Sequence, residues 1–369
     1  MKNTFGSSVS VTLFGESHGA AVGAVLDGMA PGIPVDPAFV AHQLDLRRPF
    51  GSISTARREP DEFEILSGVF DGRTTGTPLC ILIRNADTHS RDYAETRALA
   101  RPGHADYTAW AKYHGFEDYR GGGHFSGRVT AALVAVGAAA ISALREKGVR
   151  IGTHIARCGG VSDRGFDDLD ADIAALNGKR FAVLDEARGD AMRAAIEAAA
   201  KDGDSVGGIL ETAVTGLSAG VGEPWFDSLE SLLSHILFSI PAIKGVEFGD
   251  AFELADARGS AFNDEFYMDS GAVRTKTNHN GGINGGISNG MPLLFRCMVK
   301  PTPSIYQAQA TVNFPERRDE TLILKGRHDP AIVHRARVVV DSAAALALCD
   351  ALALRFGTDW LAAKREGRI

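Results

Sequence analysis

With 369 residues, 44% of them hydrophobic and 23% charged, the chain can bury a large core as one big domain or two ordinary ones. A net charge of −7 argues against nucleic acid as the main partner, and the apolar run AALVAVGAAAISAL (131–144) is too short and alanine-rich to read as a membrane span. Cys80, Cys158, Cys297 and Cys349 stand apart with no Cys-x-x-Cys pair, and the polar N-terminus lacks the apolar core of a signal peptide, which together point to a cytoplasmic protein with structural thiols.

The first predicted element, Val9 to Phe14, alternates like a strand and runs into GESHG (15–19). That motif fits the Gly-x-Ser-x-Gly elbow of serine hydrolases, where the serine caps a strand-to-helix turn. Here AAVGAVLDGMAPG follows, with glycines at 23 and 28, and alternates like a second strand. Strand–turn–strand context puts Ser17 and His18 at a loop tip and argues against a nucleophile. VDPAFVAHQLDLRR (35–48) predicts a helix, with Asp36 as cap and Pro37 in the first turn. FEILSGVF and PLCILIRN read as strands. Helices are expected at 128–147, 187–201, 227–239 with Asp227 capping, and 341–356 with Asp341 capping. KGVEFGDAFEL and LLFRCMVK read as strands between the last helices. No linker, repeat or clear βαβ rhythm interrupts this, so the expectation is one α+β domain over 1–369. The Asp- and Ala-rich stretch 150–205 marks the alternative boundary.

Arginines bunch in Gly-rich contexts: RR at 47–48 and 57–58, then Arg101, Arg120, Arg128 and Arg327. Any one of them reads as solvated surface, but together they suit a small polyanion, since guanidinium forks match phosphate and carboxylate. RGGGHFSGR (120–128) leads into a predicted helix whose N-terminal N–H groups can meet a phosphate. GGINGGISNG (281–290) and KPTPS (300–304) match neither the dinucleotide fingerprint nor the P-loop. His42, His154 and His235 fall inside regular elements and read as structural. His18, His104, His124 and His328 sit in loops beside acids, arginines or glycines. No spacing typical of zinc is present, so no metal is expected. These residues describe an enzyme that moves protons on a small polyanion, with room for a phosphate-bearing cofactor.

As an ordered set the motifs resemble those of chorismate synthases. GESHG, RREPD (57–61), LSGVFDGRTTGTPL (66–79), RPGHADYT (101–108), DYRGGGHFSGR (118–128), GDSVGG (203–208), KGVEFGDAF (244–252), NHNGGINGGISNG (278–290), KPTPS and GRHDP (326–330) carry the resemblance from end to end. It implies a β-α-β sandwich, the usual homotetramer and one FMN per subunit. The implied reaction is the 1,4-anti elimination of phosphate from 5-enolpyruvylshikimate 3-phosphate, giving chorismate, the last shikimate-pathway step toward aromatic amino acids. Reduced FMN lends and recovers an electron, because the C6 hydrogen is not acidic. NADPH or a separate flavin reductase is the implied source of reduction.

Carried over by position, the resemblance makes His18 the acid that protonates the leaving phosphate, with Ser17 facing the substrate beside it. It makes His104 the group that protonates reduced flavin and Asp329 the helper in C6 proton removal. Arg47, Arg48, Arg101 and Arg128 fall to the substrate's anionic groups. His124, Phe125, Ser126, Pro241, Ala242, Gly285, Lys300, Pro301, Thr302, Pro303, Ser304 and Arg327 fall to FMN. Two departures stand out. Ile53 occupies the place of an arginine in a loop shorter by one residue, and His124-Phe125 replaces Arg-Ser after the triple glycine. A flavin oxidoreductase with net hydride transfer and a noncatalytic anion-binding module are the rivals.

Overall fold

The computed structural model describes residues 2–55, 60–86, 97–324, 326 and 328–362. In the N-terminal third, β1 (Thr4–Phe5), β2 (Ser10–Gly15), β3 (Ala21–Asp27), α1 (Pro37–Arg47), β4 (Phe63–Ser67), the hairpin β5 (Val69–Phe70) and β6 (Arg73–Thr74), and β7 (Leu79–Arg84) follow one another. The alternating strands pair antiparallel in the order β1-β2-β3-β7-β4, with β2 and β3 joined by the GESHG turn. The hydrolase elbow is thereby excluded, because a strand rather than a helix follows Ser17. In α1 the expected cap is present: Asp36 accepts from the Ala38 N–H and Pro37 opens the helix.

After α2 (Asp106–Tyr113) comes α3 (Thr130–Glu146), buried almost throughout from Ala131 to Leu144. A second sheet then forms from β8 (Arg150–Cys158), β9 (Val161–Ser162), β10 (Gly208–Thr215), β11 (Ile243–Phe248) and β16 (Leu293–Val299), all antiparallel, in the order β11-β16-β10-β8-β9. Its connections carry α4 (Leu169–Leu176), α5 (Glu186–Lys201), α6 (Leu229–Leu237), α7 (Gly259–Phe262) and the hairpins β12 (Phe266–Asp269) with β13 (Ala272–Thr275) and β14 (Ile283–Asn284) with β15 (Ile287–Ser288). The hairpin β17 (Gln309–Asn313) with β18 (Arg318–Leu322) precedes the closing helix α8 (Val333–Phe356).

Helix α3 packs on β3 and β7 of the first sheet, and α8 packs on β8 and β10 of the second. The two helices pack on each other, giving the β-α-β sandwich expected. Their alanine-rich faces permit a close crossing. A Cβ on Gly137 would stand 2.4 Å from the Ser342 Cβ, so only glycine fits there. The run Gly127–Glu146 is, by length and composition, apolar enough to cross a membrane, contrary to the expectation from sequence, but 83% of its apolar window is buried inside the fold.

Two predicted helix starts need correction. Ser228, not Asp227, caps α6, accepting from the Ser231 N–H. Helix α8 begins eight residues before Asp341, which lies buried in its interior and accepts from Thr153 Oγ1 at 2.6 Å and Arg337 Nη1 at 3.0 Å. A polar residue followed by an apolar run signals a cap, and it reads the same when it is a core residue with a hydrogen-bonding partner on another element. Strands β8 and β10 and helix α4 went unread because polar residues within them (His154, Glu211, Asp172) are paired with other side chains rather than facing water.

Candidate active site

RGGGHFSGR, RPGHAD and KPTPS, but not GGINGGISNG, meet at one cavity of about 890 Å³. Its first wall is the triple glycine, with the GESHG turn stacked behind it. Gly15 has φ +95°, and a Cβ there would lie 2.2 Å from the Ala21 carbonyl. Asn85 Nδ2 donates to the carbonyls of Glu16 and Gly19, each at 2.9 Å, and holds the turn shut. The Ser17 N–H donates to the Gly123 carbonyl at 3.0 Å, and His124 Nδ1–H donates to the Gly15 carbonyl at 2.8 Å. Gly121, Gly122 and Gly123 all have positive φ, which lets the segment turn back over GESHG. Ser17 and His18 are buried behind it, off the cavity wall. A Cβ on Gly121, which does line the cavity, would come within 2.3 Å of His18 Nδ1, so one bare glycine separates the imidazole from the cavity. Ser17 Oγ is buried without a hydrogen-bond partner among the described residues.

The second wall is a guanidinium cluster. Asp61 accepts from Arg47 Nη2 at 2.9 Å and from Arg128 Nη1, with Arg48 Nε at 3.8 Å. Arg128 also donates from Nε to Asn85 Oδ1 at 2.9 Å and from Nη2 to the Arg84 carbonyl at 3.2 Å. Burial pushes the Arg47 pKa down to about 10, against the pull of Asp61 and with the push of Arg335 and Arg128. Burial alone would raise the Asp61 pKa, yet the charges of Arg47 and Arg128 hold it below the ordinary carboxylate range. Ile53 sits in the core at 3% exposure. Its neighbours Ser54 and Thr55 bond His334 Nε2 at 2.8 Å and Asp329 Oδ1 at 2.8 Å, so Ile53 anchors the loop by packing. Asp329 lines the cavity, and Arg335 holds its second oxygen at 2.5 Å.

The third wall joins RPGHAD to KPTPS. Arg101 forms a two-pronged pair with Asp106 at 2.8 and 2.7 Å. His104 Nε2 lies 2.6 Å from Ser304 Oγ, and Lys300 Nζ donates to the Gly103 carbonyl at 2.5 Å. Burial, then the Arg101 charge, push the His104 pKa down to about 4, with Asp106 pulling the other way. Thr302 Oγ1 is buried on this wall without a partner among the described residues. Ala242 holds φ +77°, a costly conformation for a residue with a Cβ, and its carbonyl receives the Lys300 N–H at 3.0 Å.

Of the residues expected at the site, Arg47, Arg48, Arg101, Arg128, His104, His124, Phe125, Ser126, Pro241, Ala242, Lys300, Thr302, Pro303 and Asp329 line this cavity. Ser304 joins it through His104. Pro301 packs toward Gly207, and Gly285 sits at the turn between β14 and β15, off the cavity wall. Arg327, like Arg57 of RREPD, lies outside the described residues. Sequence reading missed Asp61, Asn85, Arg335 and Thr55. Asp61 had a signal, an acid three residues after a double arginine, but Arg335 had none. His235, expected to be structural, faces the cavity and stacks edge-on against Phe5 at 5.3 Å.

The donor set fits a flavin mononucleotide and a polyanionic substrate. A ring system can lie against Phe125 and the Pro241–Ala242 turn, while Lys300, the open Thr302 hydroxyl and the arginines suit phosphate and carboxylate. Among the described residues no His, Cys, Asp and Glu side chains group as a metal site would require.

Comparison with known proteins agrees with this chemistry. The family model described as chorismate synthase matches residues 9–353. A chorismate synthase of Thermococcus kodakarensis is 44% identical over 350 residues, covering 95% of this chain and 97% of its own. One from Methanocella arvoryzae is 47% identical over 351 residues, covering 94% and 93%. A crystal structure of chorismate synthase superposes with a TM-score of 0.75 at 28% identity, over 95% of this chain and 94% of the other.

Proposed function

The chain belongs to the chorismate synthase family, a family of phosphate-eliminating lyases, and on that footing we propose how its residues divide the work. The reaction is the 1,4-anti elimination that turns 5-enolpyruvylshikimate 3-phosphate into chorismate and phosphate. The family requires reduced FMN, which when bound supplies a transient electron for loss of a C–H too weakly acidic for a base alone.

The observation that carries the reading is the convergence of Arg47, Arg48, Arg101 and Arg128 with His104 and Asp329 on one cavity. The arginines hold the substrate's phosphate and carboxylates and orient its ring. His18, behind Gly121, donates its proton to the phosphate oxygen as the C–O bond breaks, and Ser17 hydrogen-bonds the same group. Asp329, its oxygens set by Thr55 and Arg335, helps remove the proton from C6. His104, set on the wall by Ser304, is the group that protonates the reduced flavin. His124, Phe125, Ser126, Ala242, Lys300 and Thr302 hold the flavin, and Arg327 is assigned to it by the resemblance alone. Gly285, at a hairpin turn off the wall, drops out of this assignment.

The continuous core, from Val9 to Leu361, supports one domain. Exposed Trp225, Phe226, Phe252 and Phe266 support a homotetramer, which light scattering would measure. The reading includes a cytoplasmic enzyme whose flavin is reduced with NADPH, by itself or through a separate reductase.

An anaerobic assay tests this. Phosphate release with catalytic reduced FMN and no net NADPH use is expected. Stoichiometric NADPH consumption would instead mark a hydride-transfer oxidoreductase.

A further inference from the structure

Asp61 stands where Arg47, Arg48 and Arg128 meet. Its side chain is fully buried, at 0% exposure, although the residue contributes to the cavity wall. It adopts φ +51°, in the left-handed region that a Cβ disfavours, so the fold holds this carboxylate in place against local preference. Its two oxygens are divided, Oδ2 on Arg47 Nη2 and Oδ1 on Arg128 Nη1. The second prong of Arg47 reaches the Gly127 carbonyl at 3.4 Å, and Arg128 is steadied by Asn85 and Arg84. Without the carboxylate these buried like charges would repel each other and turn toward other acceptors. With it, three guanidinium charges face one negative charge, an excess of two (3 − 1), so the cluster stays ordered and still attracts anions.

We infer that Asp61 is a positioning residue for the elimination: a built-in counter-ion whose two oxygens fix the splay of Arg47 and Arg128 before the substrate arrives. This rests on the reading above that those arginines hold the substrate. An acid that only stabilised the fold would matter to melting alone. A positioning acid governs how well the substrate's anionic groups are met, and so acts on KM.

The test compares full-length wild type with Asp61→Asn, Asp61→Glu and Arg128→Ala in anaerobic phosphate-release kinetics with reduced FMN, alongside thermal melts. Asp61→Asn is expected to raise substrate KM at least tenfold while kcat moves less than threefold. Asp61→Glu, which restores the charge but lengthens the reach, should fall between the two. A folded Asp61→Asn with wild-type KM overturns the inference. Should Asp61→Asn fail to fold, Asp61→Glu decides, and a wild-type KM in that variant overturns it equally. Arg128→Ala separates the layers. If it too has wild-type kinetics, the arginine site itself fails; if it is impaired and Asp61→Asn is not, only the role of Asp61 fails.

Discussion

Two buried clusters of arginine and aspartate, one in the core and one at the cavity, are built on different rules. In the core, Arg337 pairs with Asp341 at 3.0 Å and donates from Nη2 to the carbonyls of Leu176 and Lys179. Asp341 takes a further bond from Thr153, which also meets Thr212 at 2.7 Å. One guanidinium meets one carboxylate there. On the cavity, Arg47, Arg48 and Arg128 share Asp61, and Nε of Arg47 and of Arg48 is buried without a hydrogen bond among the described residues. A balanced cluster is a structural joint; an unbalanced one is held open for a ligand. The same contrast separates two histidines. His154 has both ring nitrogens taken, by Asp163 and Glu211 at 2.9 Å each, whereas His18 lies one glycine away from the cavity.

The histidines give the largest expected effects. His18→Ala should lose about 10²–10⁴ in kcat, the range of a general acid, with flavin binding and melting nearly unchanged. The loss should ease at low pH, where the leaving phosphate can take a proton from solvent. His154→Ala should do the reverse, keeping kcat in the folded protein but destabilising it by about 3–5 kcal/mol, since two carboxylates lose their shared partner. Arg337→Met should lower stability by a similar ~3–5 kcal/mol by stranding Asp341, and leave substrate KM alone. Urea melts beside steady-state kinetics separate these patterns. Equal KM effects from Arg337→Met and Arg128→Ala would erase the distinction between the clusters.

A smaller effect concerns pH. His104 and His334 have pKa values pushed below the ordinary 6.5, to about 4 and about 3, chiefly by burial. Native protein resists protonating them, so the stability they contribute is present above pH 6.5 and lost as pH falls toward those values. His154 has the opposite sign. Burial opposes its charge, but Asp163 and Glu211 raise its pKa overall, so its contribution is present below pH 6.5 and lost as pH rises through the raised value. Between pH 6.5 and 5, His104→Gln should remove a slope on the order of 1 kcal/mol per pH unit from the wild-type stability curve. An unchanged slope would mean that the imidazole is not buried as a neutral group. Smallest of all, Ser17→Ala should cost roughly 0.5–1.5 kcal/mol in kcat/KM, the contribution of one hydrogen bond, and loss of all turnover would revive the nucleophile.

Much of this contrast was legible in the sequence, but unevenly. GESHG between two alternating runs told a hairpin from an elbow, and β2 and β3 bear that out. The Gly-rich loops and bunched arginines gave the cavity its chemistry because turns and guanidinium forks act locally. Asp341 misled because capping is also a local signal, and nothing in the chain nearby announces Thr153, 188 residues away. Asp61 was hidden for the related reason that a buried acid beside arginines looks in sequence like an ordinary surface ion pair. Ile53 stands at the place of an arginine, yet it is buried in the core, and three arginines still gather at Asp61.

The direct test of the account is the binding of 5-enolpyruvylshikimate 3-phosphate to wild type and Arg128→Ala, measured by titration calorimetry. If the unbalanced cluster is the substrate's anion site, binding should weaken by about 2–5 kcal/mol, well beyond tenfold. A change under tenfold in a folded Arg128→Ala would contradict it and return this arginine, with its share of Asp61, to the structure.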